Sequence, residues 1–201
     1  MSRYSFVRNR NVFQLVTVLG LCVAVFLLST ASAAPDADEA MPSGSIDFVA
    51  ENLFSTAKGT FHEWRVIESA LDREDPEASH AIVEVMLESV DTGIRRRDEH
   101  LLTADFFDIE TYPVAIVRAH SLVAAGESDE GHPLYTAKFD FDLHGVKKTL
   151  EGRLQFIEGA RLVVVGSLVL DRMDFGIGSA PSRWNPMSIE SEVPIEFRIE
   201  F

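Results

Sequence analysis

Cysteine is all but missing: Cys22 is the only one in 201 residues, and it sits within an N-terminal apolar run. The remainder of the chain therefore has no disulfide, no thiol nucleophile and no thiolate metal ligand, and its fold must rest on its core alone. Basic residues are few, 18 Lys and Arg against 32 Asp and Glu, for a formal net charge of −14. Such a surface repels phosphate backbones and anionic headgroups, which argues against nucleic acid as a partner and against peripheral binding to a membrane. The marks of catalysis are missing as well. His62, His80, His100, His120, His132 and His144 fall in no H-x-H, H-x-x-H or HExxH spacing, so no metal site is expected. No G-x-S-x-G elbow is present, and Gly176-Ile177-Gly178 lacks the third glycine and following helix of a nucleotide loop. Neither a cofactor nor a catalytic residue is expected.

A run long enough to span a bilayer is also lacking. The apolar stretch Leu15 to Leu28 has fourteen residues, short of the roughly 20 a transmembrane helix needs. Arg3, Arg8 and Arg10 precede it, no acid appears before Asp36, and Ala31 and Ala33 occupy the positions of an Ala-x-Ala cleavage site. That pattern predicts a secretory signal peptide over residues 1–33, cleaved after Ala33, with a retained anchor as the alternative. Cleavage removes three arginines and takes the net charge from −14 to −17. Residues 34–44, rich in Ala, Asp, Pro and Ser, read as a flexible leader. The folded domain is then 45–201, periplasmic or secreted, with no stable membrane insertion after cleavage. Monomer and homodimer both remain open.

What dominates the rest is a period of two. Tyr135, Ala137, Phe139, Phe141 and Leu143 alternate with Thr136, Lys138, Asp140 and Asp142, and Val193, Ile195, Phe197, Ile199 and Phe201 alternate with polar partners. Each reads as a half-buried antiparallel strand. Similar runs at Ser45–Ala50, Thr56–Ile67, Ala81–Glu88, Val114–Ser121, Leu150–Ile157 and Leu162–Leu170 bring the count to eight. The phase slip between Phe61 and Trp64 predicts a bulge, and Leu162–Leu170 reads as covered on both faces. Tight glycine-bearing connections favour an all-β, eight-stranded antiparallel up-and-down barrel. Between the third and fourth strands the period of two lapses. Arg95 to Leu102 suits a short helix and Thr103 to Phe107 a further turn, ended by Pro113.

Several segments resemble the YceI-like family. They are Val90-Asp91-Thr92-Gly93, Arg97-Asp98-Glu99-His100-Leu101, Ala104-Asp105-Phe106-Phe107-Asp108 and Tyr112-Pro113. Asp142-Leu143-His144-Gly145-Val146-Lys147-Lys148 and Asp171-Arg172-Met173-Asp174-Phe175-Gly176-Ile177-Gly178 fit as well. The resemblance implies a lipocalin-like barrel with a helical insertion, bacterial export, and a polyisoprenoid, isoprenoid quinone or other long-chain amphiphile as interior ligand. The chain departs from the family pattern at its opening strand, at Arg65 and at Val117.

On this basis the expected cavity residues are Phe54, Phe61, Phe106, Phe107, Tyr135, Phe139, Phe141, Leu154 and Phe197. An eight-stranded barrel either fills with such side chains or holds one small ligand. Arg97 and His100 are the candidate headgroup contacts, Arg being suited to bidentate phosphate or carboxylate binding. The competing reading of this cluster is a solvated helix face with an Arg97–Asp98 or Arg97–Asp105 pair fixing the insertion. Two other functions compete with a carrier: an enzyme acting on a lipid or quinone through His100 and a neighbouring acid such as Asp98, and a solidly packed, ligand-free stress or scaffold protein.

Overall fold

The computed structural model describes residues 42–72, 74–182, 184–185 and 187–201. The expected signal peptide, 1–33, and most of the leader lie outside the described residues. Ten antiparallel strands and one short helix follow: β1 (Ser43–Asn52), β2 (Ser55–Phe61), β3 (Trp64–Ala70), β4 (His80–Met86), β5 (Val90–Asp91), α1 (Arg95–Leu101), β6 (Val114–Glu127), β7 (Pro133–Leu143), β8 (Val146–Ile157), β9 (Val163–Asp171) and β10 (Glu192–Glu200).

The expected count of eight is thus corrected to ten, because one of the eight runs breaks in two and a short strand, β5, lies beyond the end of another. The phase slip seen at Phe61–Trp64 is a full interruption at His62 and Glu63, which separates β2 from β3. The facing run is interrupted by a 3-10 turn at Leu87–Ser89, between β4 and β5. Two backbone hydrogen bonds span the paired breaks, His62 N–H to Ser89 O at 3.2 Å and Met86 N–H to Glu63 O at 2.9 Å. A bulge does occur in this run, but further on, between Val66 and Glu68.

Hydrogen-bonded neighbours follow the order β3-β4-β6-β7-β8-β9-β10-β1-β2-β5. The two ends of that order meet through the chain itself, since β2 leads into β3 and β4 into β5. The meander therefore curls into a barrel, and its connections alternate between two ends. The β1–β2 turn, the segment 92–113 containing α1, the β7–β8 turn and the long 172–191 connection share one end. The β3–β4, β6–β7 and β8–β9 connections share the other. At the β7–β8 turn His144 and Gly145 both have positive φ (52° and 73°), as a two-residue hairpin twisted with its strands requires.

Alternation holds where it was clearest. Ala137, Phe139, Phe141 and Leu143 are buried on the inner face of β7, whereas Thr136 and Lys138 are exposed. The expectation that the β9 region is covered on both faces is corrected in part: Val163 and Val164 are both buried, but Val169 is 51% exposed on the outer wall. The core joins these residues to Val85, Leu87, Leu122, Leu154, Leu168, Leu170, Phe175 and Ile177. Burial of each such side chain stabilises by about 1.5–3 kcal/mol before entropy is counted.

Candidate functional site

The inner faces do not close into a solid core. They leave a cavity of about 220 Å³, whose walls are almost wholly apolar. Its lining draws on both ends of the barrel: Leu101, Phe106, Phe107, Ile177 and Ile189 at one, Leu71, Ser79 and Phe201 at the other. The space is therefore a tunnel along the barrel axis, with walls that offer water almost no polar partner. That form suits a slender apolar chain, as small-molecule sites with a few polar groups at an end generally do.

Phe61, Phe106, Phe107, Phe139, Phe141, Leu154 and Phe197 all lie in this lining. Phe61 and Phe107 face each other at 6.0 Å between ring centroids, and Phe139 meets Phe197 edge-on at 5.9 Å. Two of the expected cavity residues lie elsewhere. Phe54 is 70% exposed in the β1–β2 turn, because the strand ends at Asn52 before the alternation reaches it. Tyr135 is on the inner face but packs edge-on against Phe156 at 5.5 Å, and Phe156 rather than Tyr135 lines the tunnel.

The expected headgroup pair is placed differently too. Arg97 turns back onto its own segment, donating from Nε to Thr92 Oγ1 at 2.7 Å and from Nη2 to Thr92 O at 2.8 Å. Asp98 accepts from the Thr92 N–H at 2.9 Å and from its hydroxyl. Arg97 and Asp98 are thus joined through Thr92, in place of the expected ion pair with Asp98 or Asp105, and fix the start of α1. His100 is exposed and lays its ring against Phe106 at 4.9 Å. Neither Arg97 nor His100 lines the tunnel, and Asp98 faces Thr92 rather than His100. Among the described residues, no group of three or more metal-ligating side chains comes together.

Sequence reasoning gave no role to Arg172, although it stands in one of the quoted segments. It is 5% exposed and forms part of the tunnel wall. Its guanidinium donates to the carbonyls of Glu190 (2.9 Å), Ile177 (2.7 Å), Ser179 (2.7 Å) and Ile189 (2.6 Å), and to Met173 Sδ at 3.2 Å. Burial pulls its pKa below the usual guanidinium value, against the opposing charges of Asp171 and Glu190. Arg172 thereby holds both limbs of the 172–191 connection against the end of the tunnel. An arginine flanked by a Gly-x-Gly stretch was the available signal. At the opposite end Ser79, 2% exposed, bonds both backbone groups of Asp72.

Residues 40–201 match the family model described as the YceI-like domain. A UPF0312 protein of Vibrio cholerae is 30% identical over 164 residues, spanning 78% of this chain and 80% of that protein. A UPF0312 protein of Pseudomonas savastanoi pv. phaseolicola is 32% identical over 146 residues, spanning 68% and 73%. Among solved structures, Burkholderia cenocepacia BcnA superposes with a TM-score of 0.69 at 20% identity, over 79% of this chain and 96% of that one. A polyisoprenoid binding domain from Saccharophagus degradans superposes with a TM-score of 0.57 at 19% identity, over 78% and 92%. At these identities the structural likeness speaks to the fold.

Proposed function

This chain belongs to the YceI-like family, and on that footing we propose that it is an exported carrier of a polyisoprenoid, isoprenoid quinone or similar long-chain amphiphile, held within the barrel. The observation that carries the reading is the apolar tunnel running between the two ends of the barrel. A chain threaded there exchanges water for Phe, Leu, Val and Ile side chains, gaining about 0.8 kcal/mol per buried methylene before ordering costs. The solved polyisoprenoid binding domain of the same fold favours this ligand class over others that would fit an apolar bore. Export rests on the N-terminal sequence, with Arg3, Arg8 and Arg10 ahead of the apolar run and Ala33 at the cleavage point. The carrier works by binding and release, with no chemistry on its cargo.

Native mass spectrometry of the protein recovered from a bacterial periplasm, followed by solvent extraction, tests this directly. The expected result is a chain beginning at Ala34 with one prenyl or fatty amphiphile bound. A clean apo mass that takes up no added isoprenoid alcohol would sink the carrier reading in favour of a ligand-free scaffold. A cytoplasmic chain that still begins at Met1 would sink export.

A further inference from the structure

The outer surface of the barrel is not uniform along its axis. Among the described residues eight large hydrophobic side chains are strongly exposed, and five of them stand at one end: Leu53 (74%), Phe54 (70%), Ile94 (53%), Trp184 (95%) and Met187 (62%). The other three, Ile67, Val123 and Val169, are scattered over the strands. This end carries α1 and the connection held by Arg172. The end of β1 and the 172–191 connection are tied together there, Glu190 N–H donating to Glu51 O at 2.8 Å.

Charge follows the same axis. The three connections at the opposite end (71–79, 128–132 and 158–162) hold seven acids against two arginines. The four connections at the apolar end span more than twice as many residues yet also hold seven acids, so acids are less than half as dense there, with Arg95, Arg96 and Arg97 interspersed and Arg172 buried. The strong net negative charge is a sum over the whole molecule, and it does not describe this end.

We propose that this end docks reversibly on the surface of a lipid bilayer, with Leu53, Phe54, Ile94, Trp184 and Met187 entering the interfacial layer. The inference rests on the carrier reading, since a cargo insoluble in water has to be collected from a membrane and returned to one. A bilayer is the occupant because the exposed apolar side chains come from three separate parts of the chain, Leu53 and Phe54 in the β1–β2 turn, Ile94 at the start of α1, and Trp184 with Met187. A fluid surface accepts discrete apolar tips, whereas a folded partner calls for one continuous complementary patch. Trp184 combines a large apolar ring with an N–H suited to the headgroup layer. The sparser negative charge at this end points to a zwitterionic rather than an anionic surface.

The test uses the signal-free chain with vesicles of phosphatidylcholine and phosphatidylethanolamine. In a Trp64→Phe background, where Trp184 is the only tryptophan, its emission is expected to shift to the blue on adding vesicles and to be quenched by brominated phosphatidylcholine. The double variant Phe54→Ser/Trp184→Ser is expected to co-float with vesicles at least tenfold less, while ligand content by native mass spectrometry is unchanged. Ile67→Ser/Val169→Ser on the wall is expected to co-float as the parent does. No flotation of the parent chain, as would follow if these residues bind a protein, overturns the proposal; so does equal flotation of the two double variants. Should the chain dock through this end yet bind no lipid, the carrier reading fails and the docking surface stands.

Discussion

The N–H of Gly178 donates to the carbonyl of Asp105 at 2.9 Å, joining the helical insertion to the loop that follows β9. These segments are 73 residues apart in sequence (178 less 105), and together they cover one end of the tunnel. Gly178 has φ of 71°, and a Cβ there would approach Arg172 Nη1 and Phe106 Cε1 to 3.0 Å each. Gly178→Ala is therefore expected to cost about 1–3 kcal/mol through backbone strain and displacement of Arg172. A calorimetric midpoint unchanged from the parent would refute this account of the junction.

Arg172 makes the larger contribution at this end. Arg172→Met would leave four carbonyls without their donor, at about 1–3 kcal/mol for each one that water cannot reach. Lysine would not rescue it, having no planar fork to reach both limbs of the loop. Urea unfolding is expected to show both variants destabilised by at least about 3 kcal/mol, and a Lys variant as stable as the parent would contradict the clamp.

Within the tunnel, Ala119 is a small wall residue paired across the sheet with Phe139 and Ala81. Ala119→Phe places a ring in the bore while leaving the strand ladder intact. Bound amphiphile, measured by extraction, is expected to fall at least tenfold while the thermal midpoint stays within a few degrees. Unchanged occupancy would mean that the cargo lies elsewhere.

Acid sensitivity has a local source on the outer wall. Asp140 Oδ1 accepts from the Thr149 hydroxyl at 2.6 Å, and Oδ2 lies 2.9 Å from His120 Nε2. Chiefly through the Thr149 bond, with help from the charges of His120 and Arg118, its pKa lies below the ordinary aspartate value. A depressed carboxylate pKa stabilises the fold above the unfolded value, and that stability is lost as pH falls through the folded one. Asp140→Asn is expected to flatten part of the decline in stability below about pH 5, read as urea midpoints across the acid range. A parallel decline in parent and variant would remove Asp140 from the explanation.

Much of this architecture was legible in the residues themselves. The alternation through β7 and β10 identified the inner face, because a side-chain period of two is imposed by the pleat and leaves a direct trace in composition. The helix at Arg95–Leu101 was visible because the period lapses between two strands that keep it. The paired interruptions at His62–Glu63 and Leu87–Ser89 were half legible, as a phase slip on one strand only. Their matching across the ladder depends on register, which no single segment carries. The exposure of Phe54 is not legible in the residues because hydrophobicity does not show where a strand stops, and the role of Arg172 is not because its acceptors are backbone carbonyls without sequence signature.

The sequence by itself determined the all-β class, most of the inward aromatics and the family, since each depends on residue types at short or ordered spacing. Only the tertiary structure decided that the barrel keeps a tunnel, that Arg97 serves Thr92 while Arg172 holds the end of the bore, and that exposed apolar residues gather at one end. The tunnel and the apolar end depend on how the strands are paired and staggered around the barrel, while the contacts of Arg97 and Arg172 depend on the path their own loops take once the strands have fixed the ends.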